Sequence, residues 1–518
     1  MSSLNETSIA RKNLFKLAAI SAVSFFISLL AWTLSSPLGS SPDEDFHIGS
    51  IWCADGFSTE TCEVKEYVAG ASQQIVTVPD VMDLCFKRNS DQSGDCSWDA
   101  ASQNPELRAS DKFQYPPLFH RVMHVFVSDA EQASGLTMRI FNSLIATGLF
   151  FATVMLSSFR ARQAAVVGFV ATLIPLAIFL IPSLNPSSWA YLGVAFAWVF
   201  LMNALTGDRD QKQRHKANWA LFLICSVMAI GSRWDSALYL LVSAAATFYL
   251  AKKLSGDIKS SHYLIAKLVG ALGLVAITIV YLPKLVNAFR NGIFGDKSTS
   301  NGWSAENLFF HNVVHLIEIP AGIFGFGKWG IGWIDTPLPG IVSIVGVAVF
   351  AFFFLQSLPF NKRHQYFVVT GLIAFTGLVL LVTLTSGGII VGKMIQPRYI
   401  LPMLPLILGI SIWSSRHQKP FGFDPGARAI LIGSLISIAH AVSLWTNIRR
   451  YTLGLKKDQG FNLNSPIEWW WEWAPAPGFV FILGVVAFTV FIFTAFKIVL
   501  SQQDPLVADS VDPLPSAR

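Results

Sequence analysis

The densest chemistry in the chain is Ser41-Pro42-Asp43-Glu44-Asp45-Phe46-His47, where three carboxylates and an imidazole lie within seven residues. Like charges this close resist ionising together, which suits one of the three carboxylates to proton transfer. The oxygens of Asp43, Glu44 and Asp45 equally suit a divalent cation, which takes oxygen ligands. A solvated acidic loop is the plain alternative.

Arg398 precedes an otherwise apolar run from Tyr399 to Ile412, where a cation is costly unless paired or used. Its planar fork of donors can hold a phosphate, and snorkelling to lipid headgroups is the alternative. Arg233 and Asp235 are close enough to pair with each other. Other polar or aromatic segments are Tyr115-Pro116-Pro117, Asn185-Pro186-Ser187-Ser188-Trp189, Gly332-Trp333-Ile334-Asp335 and Gln396-Pro397-Arg398-Tyr399. Singly, each reads as a helix cap, a tight turn or an interfacial anchor. If they meet on one face, His47, Tyr115, Asn185, Arg233, Asp235, Trp333, Asp335, Gln396, Arg398 and Tyr399 become substrate contacts. His311, His315 and Glu318 share one helical face, but Asn312 stands where a His-Glu-x-x-His zinc motif needs glutamate, so an interfacial helix with a polar face is expected. No phosphate loop, dinucleotide fingerprint or Gly-x-Ser-x-Gly occurs, which leaves a nucleotide-driven pump or serine hydrolase without local support.

The elements that must position these groups are membrane helices. The chain has 518 residues, 53% hydrophobic and 14% charged, with a mean hydropathy of +0.50, so lipid is its solvent. A spanning helix needs about 20 mostly apolar residues. Runs of this kind fall at 17–36, 138–158, 164–183, 188–206, 218–232, 236–251, 263–285, 339–357, 365–386, 400–415, 428–446 and 476–498, about twelve in all. The expected fold is an all-α polytopic membrane protein. Residues 1–16 form a cytoplasmic N-terminus, 17–36 the first helix, 37–137 an extracytoplasmic loop subdomain, 138–498 the membrane domain and 499–518 a disordered cytoplasmic tail.

Charge sets the topology. Arg11, Lys12 and Lys16 precede the first run, which is too long for a signal peptide and lacks a convincing cleavage site. The segment 304–326 is interrupted by His311, His315 and Glu318; if it does not span, the clusters at Arg160/Arg162, 209–216, Lys252/Lys253, Lys362/Arg363 and Arg416/Lys419 all become cytoplasmic. The first outer loop, from Pro37 to Thr137, then holds 16 acidic and 6 basic residues. Arg449, Arg450, Lys456 and Lys457 in the last outer loop are exceptions. The net charge of +6 is scattered in short patches, which topology explains better than nucleic-acid binding. Cys53, Cys62, Cys85 and Cys96 fall together in the first outer loop and suggest two disulfides, neighbour pairing being the simplest of three connectivities; Cys225 lies in an apolar run.

Three segments carry a family resemblance: Pro42-Asp43-Glu44-Asp45-Phe46-His47, Gly332-Trp333-Ile334-Asp335 and Gln396-Pro397-Arg398-Tyr399. In order and spacing they resemble an uncharacterised family of bacterial predicted membrane proteins, itself similar to the GT-C superfamily of integral-membrane glycosyltransferases. The chain departs from that pattern at Pro397, where glycine is usual, and in its long cysteine-bearing first loop. The resemblance implies a sugar donor on a polyprenyl phosphate, Asp43 or Glu44 as base or metal ligand, and Arg398 at the lipid phosphate. It also implies a multi-pass bacterial plasma-membrane protein with an extracytoplasmic glycan or lipid acceptor. A transporter or flippase of lipid-linked glycans is the second reading; the apolar pattern has no internal repeat, and His440 is a lone ionisable residue deep in a run. A noncatalytic envelope assembly factor docking through the first loop is the third.

Overall fold

The computed structural model describes residues 2–501 except 58, 61, 67–73, 79–83, 99–105, 110–114, 208–210, 256–302, 359, 361, 393–394, 416–419, 423, 456–460, 465–467 and 472. The 263–285 run, Arg416, Lys419, Lys456, Lys457 and the tail expected to be disordered lie outside the described residues.

Lipid offers the backbone no hydrogen-bond partner, so apolar runs of this length become helices. The chain begins with α1 (Ser2–Leu34) and α2 (Glu44–Trp52), then a sheet of β1 (Glu63–Glu66), β2 (Gln74–Thr77) and β3 (Glu106–Ala109). Next come α3 (Leu118–His124), α4 (Glu131–Leu156), α5 (Phe159–Val170), α6 (Leu176–Leu180), α7 (Ser187–Thr206), α8 (Lys212–Ser232) and α9 (Trp234–Ser255). The remainder is α10 (Ala305–His315), α11 (Glu318–Gly322), α12 (Gly340–Ser357), α13 (Arg363–Ser386), α14 (Met403–Ser414), α15 (Pro425–Leu453) and α16 (Pro477–Leu500). This is an all-α polytopic membrane protein with one small sheet. Among the described residues eight helices are long and apolar enough to cross a membrane: α1, α4, α7, α9, α12, α13, α15 and α16.

The other apolar runs differ from simple spans for local reasons. The 164–183 run breaks between α5 and α6 at Pro175, whose ring nitrogen cannot extend a helix ladder. The run at 400–415 holds only the 12 residues of α14. The 218–232 run is the latter part of α8, whose first turns carry Lys212, Arg214 and Lys216. The segment 304–326 forms α10 and α11, of 11 and 5 residues, neither long enough to cross.

In the bundle α1 packs along α4 and α16, with Phe25 stacked on Phe491 at 4.6 Å. Trp32 donates its indole N–H to His440 Nε2 at 3.0 Å, and the imidazole stacks on Phe488 at 3.9 Å, which makes His440 part of the α1–α15–α16 packing.

The segment between α1 and α4 is a folded unit. The strands pair antiparallel in the order β1-β2-β3, and β3 lies against α2. Gly49 permits that approach, since a Cβ there would stand 2.4 Å from the Arg108 carbonyl oxygen. Cys53 is bridged to Cys62 and Cys85 to Cys96, the neighbour pairing expected, while Cys225 is buried and free.

Arg449 and Arg450, read from sequence as exceptions in the last outer loop, lie instead within α15 near its C-terminal end, where the helix continues past its apolar run. Arg450 is fully buried and donates to the Gln92, Phe86 and Asn89 carbonyls at 2.7, 2.9 and 3.0 Å and to Asp335 at 3.0 Å. It clamps the disulfide-closed loop 85–96 onto the bundle and says nothing about topology. Arg450→Met removes one partner of a buried ion pair and strands three carbonyls. Thermal unfolding in detergent should show a loss of about 3 to 5 kcal/mol, with new protease cleavage inside 85–96; an unchanged midpoint and digest would contradict the clamp.

Candidate functional site

The polar segments do meet at one end of the bundle, and the meeting is organised by Pro42 and Asp43. The Pro42 carbonyl accepts from Asn185 Nδ2 at 2.8 Å and Arg398 Nη1 at 2.6 Å, tying the start of α2 to the turn before α7 and to the 3-10 turn Pro397–Tyr399. Asp43 holds a left-handed backbone (φ 60°) and occupies the N-cap position of α2. Aspartate there normally caps a backbone N–H, but this one does not. Its carboxylate turns to Arg398 Nη2 and, at 3.4 Å, to Arg108 Nη2.

The three consecutive carboxylates therefore diverge. Glu44 is buried, accepting from the backbone N–H of Ser41 at 2.9 Å and of Leu184 at 2.6 Å, with Arg139 at 3.5 Å. Asp45 is gripped by Arg108 through Nε at 2.8 Å and Nη2 at 2.7 Å, and by Lys87 at 2.6 Å. Burial works to raise the pKa of Asp45, but the hydrogen bonds from Arg108 and Lys87 overcome it and hold the carboxyl below its usual range. Asp43 alone keeps an open side, with its side chain 32% exposed against 0% for Glu44 and 4% for Asp45. Such a trio does not fit a shared cation, and among the described residues no three His, Cys, Asp or Glu side chains gather as a metal set. That includes His311, His315 and Glu318, where His315 Nδ1 instead pairs with Glu318 at 2.6 Å and its ring lies tilted against that of His311, 4.3 Å between centroids.

Arg398 is buried beside Asp43, with its Nε unpartnered among the described residues. Arg233, at the C-terminal cap of α8, binds Asp235 through two parallel bonds of 2.9 and 2.7 Å, the mutual pairing its spacing suggested. Its guanidinium lies over Tyr399 at 4.9 Å and Tyr115 at 5.7 Å from the ring centroids. Arg398 lies 5.4 Å from the Tyr399 centroid.

His47 sits one turn along α2 from Asp43 and is fully buried. Its Nδ1 shares a hydrogen bond of 3.2 Å with His120 Nε2, and its ring meets Tyr115 edge-on at 4.9 Å. Burial, then His120 and the guanidiniums of Arg398, Arg233 and Arg108, push the His47 pKa well down. Burial brings His120 down to about 4. Both imidazoles are neutral near pH 7.

Trp333 and Asp335 face a neighbouring structural cluster. Trp333 donates to the Gly39 carbonyl at 2.9 Å beneath Lys87, 4.5 Å from the ring centroid, and Asp335 pairs with Arg450. Their turn carries Ile334 at φ 65°, a conformation β-branched residues rarely adopt. Gln396 is half-buried at the N-cap of the Pro397–Tyr399 turn, without a side-chain capping bond.

Sequence reasoning missed Arg108, His120, Lys87 and Arg139. Arg139 had a signal, an arginine inside the 138–158 apolar run. Arg108 and His120 lie on β3 and α3, elements too short for periodicity to mark them, and Lys87 lies in a turn.

Fold and site together define a polytopic membrane protein whose helix ends and disulfide-braced first loop build a charged, aromatic-walled cluster around one half-open carboxylate. The model of the family described as "Predicted membrane protein (DUF2142)" matches residues 26–407. The chain belongs to that family. No curated protein and no solved structure matches it.

The depressed His120 pKa has a stability consequence. The folded state resists protonation while the unfolded chain takes a proton at about 6.5, so this stabilisation is complete above pH 6.5 and is lost as pH falls from there towards about 4. Melting curves in detergent should fall across that window, and His120→Asn should flatten the fall. Equal slopes for the two proteins would refute the assignment.

Proposed function

We infer that this protein is a membrane glycosyltransferase that moves a sugar from a polyprenyl-phosphate donor to an acceptor on the extracytoplasmic side. The observation that carries the reading is the pairing of half-open Asp43 with buried Arg398 where the membrane helices end. A donor whose lipid chain stays in the bilayer presents its phosphate and sugar at that depth. The three motif segments resemble a family that is itself similar to the GT-C glycosyltransferases, which points the same way.

Asp43 is the base. Its oxygens already face two guanidiniums, which favours a bare carboxylate over a metal ligand. The acceptor oxygen attacks the anomeric carbon as its proton passes to Asp43. The bond from that carbon to the phosphate oxygen breaks, and its electron pair leaves on the phosphate, whose charge Arg398 stabilises through its unpartnered Nε–H. Attack opposite the leaving group inverts the anomeric centre. Glu44, Asp45, Asn185 and Asp235 position these groups through the bonds described above. The extracytoplasmic side is supported by the two disulfides, which persist in oxidising compartments, and by the basic clusters of the short loops.

The test uses purified protein in lipid with radiolabelled polyprenyl-phosphate sugars and an acceptor panel. Asp43→Asn should lose transfer or donor hydrolysis by about a hundredfold or more, while Asp43→Glu retains part of it. Thermal unfolding confirms that both variants fold. Donors that bind without transfer by the unmodified protein across a broad panel would overturn the enzyme reading and leave a transporter of lipid-linked glycans to be tested.

A further inference from the structure

Three nitrogens of the cluster are buried without a hydrogen-bond partner among the described residues, Arg139 Nε, Arg398 Nε and His47 Nε2; Arg139 is committed to Glu44 and the carbonyls after α1, which leaves Arg398 Nε and His47 Nε2. Unmet polar atoms in a buried site are costly, and two of them near one half-open carboxylate point to a group that arrives with the ligand. Arg398 binds the Asp43 carboxylate, and His47 lies one turn further along α2, close enough to feel the charges of Arg398 and Arg108.

The two atoms ask for different chemistry. Arg398 Nε carries a hydrogen and only donates, so it requires an acceptor such as a phosphoryl oxygen. His47 is neutral, and its Nε2 donates or accepts according to the tautomer set by the bond to His120. A hydroxyl serves either tautomer; a methylene serves neither. The imidazole cannot swing away to find water, because His120 stacks on it at 5.4 Å while Phe46 and Tyr115 close on it at 5.3 and 4.9 Å.

A ligand that offers an anionic oxygen and, a few bonds away, a hydroxyl meets both demands. In a glycosyl phosphate that hydroxyl is the one on the carbon next to the anomeric centre. Resting on the glycosyl-transfer reading, we propose that His47, positioned by His120 and walled by Phe46 and Tyr115, recognises this 2-hydroxyl of the transferred sugar. The protein therefore takes donors with an oxygen at that carbon and rejects 2-deoxy sugars. A hydrogen bond at the 2-hydroxyl also strengthens as charge develops on the ring during transfer, so the contact assists the chemistry as well as choosing the donor. Its partner must be polar and fixed, and the buried imidazole pair is both.

The experiment measures binding of three probes to the full-length protein in nanodiscs: polyprenyl phosphate, a matched set of polyprenyl-phosphate hexoses (gluco, manno and galacto), and the 2-deoxy counterpart of the tightest-binding member. The expected result is a 2-deoxy donor bound about tenfold or more weakly than its parent, since a buried group is left unpaired. The ratio should collapse to near one in His47→Phe, and His47→Gln, which keeps a polar atom, should preserve part of it. A wild-type protein that binds the 2-deoxy donor as tightly as the parent overturns the inference, as does a His47→Phe protein that keeps the discrimination. If neither variant folds, the wild-type ratio alone decides. Binding of polyprenyl phosphate and of all glycosides without 2-deoxy discrimination removes this inference and leaves the glycosyl-transfer reading standing. Failure of every probe to bind removes both.

Discussion

The last carbonyls of α1 have no partner within their own helix, and the chain turns at once into a loop that must hold a carboxylate in place. Arg139 of α4 settles both problems. Buried at that depth, it donates to the Thr33, Ser36 and Pro37 carbonyls at 3.0, 2.8 and 2.8 Å and faces Glu44 at 3.5 Å. Asn447 reaches the Ser35 carbonyl and Trp471 the Leu34 carbonyl. The guanidinium needs a counter-charge, Glu44 supplies it, and Glu44 in turn fixes the Ser41 and Leu184 amides. The loop 35–44 is thereby held by α4, α15 and the segment before α16, and every group in the cluster inherits its position from that anchorage.

Asp43 keeps an open side because its neighbours are tied down. Consecutive residues on a helix point about 100° apart, so Glu44 goes down into the bundle and Asp45 out to Arg108 and Lys87. Asp43 at φ 60° leaves the helix axis altogether. Aspartate tolerates the left-handed region better than most residues, yet still at a cost, and the forgone cap adds to it. Both are sustained because Arg398 holds the carboxylate while Asn185 and Arg398 hold the preceding carbonyl. Strain kept in place by several independent contacts is what functional positions display.

The membrane class, most helices and the disulfide pairing were legible from hydropathy, length and cysteine placement, because those depend on local composition. The grouping of distant polar segments was legible as an expectation, since each follows or precedes an apolar run at the same end. The division of labour within it was not. Nothing in the sequence separates Asp43 from Glu44 or Asp45; the separation comes from a helix start and from Arg108 and Arg139, which are remote in the chain. Arg449 and Arg450 misled for a related reason: a charge beyond an apolar run reads as loop, but here α15 continues through it under cover of the 85–96 loop. His120 lacked any sequence signal, because its meaning lies in a pairing with His47 across the first loop.

The interruptions in the membrane helices now acquire a physical reason. A continuous span would carry regular backbone through the depth at which the cluster lies. The break between α5 and α6, the turn at Leu184-Asn185 and the Pro397–Tyr399 turn before α14 instead deliver loose amides and side chains there: the Leu184 N–H to Glu44, Asn185 and Arg398 to Pro42. Irregular backbone at membrane depth is tolerated only when protein buries it or when it lines a polar cavity. Residues 176–192 and 397–404 are almost wholly buried, so the first condition is met. The short helices are therefore not failed spans. They are the means by which a bundle built for lipid gathers buried polar groups around Asp43.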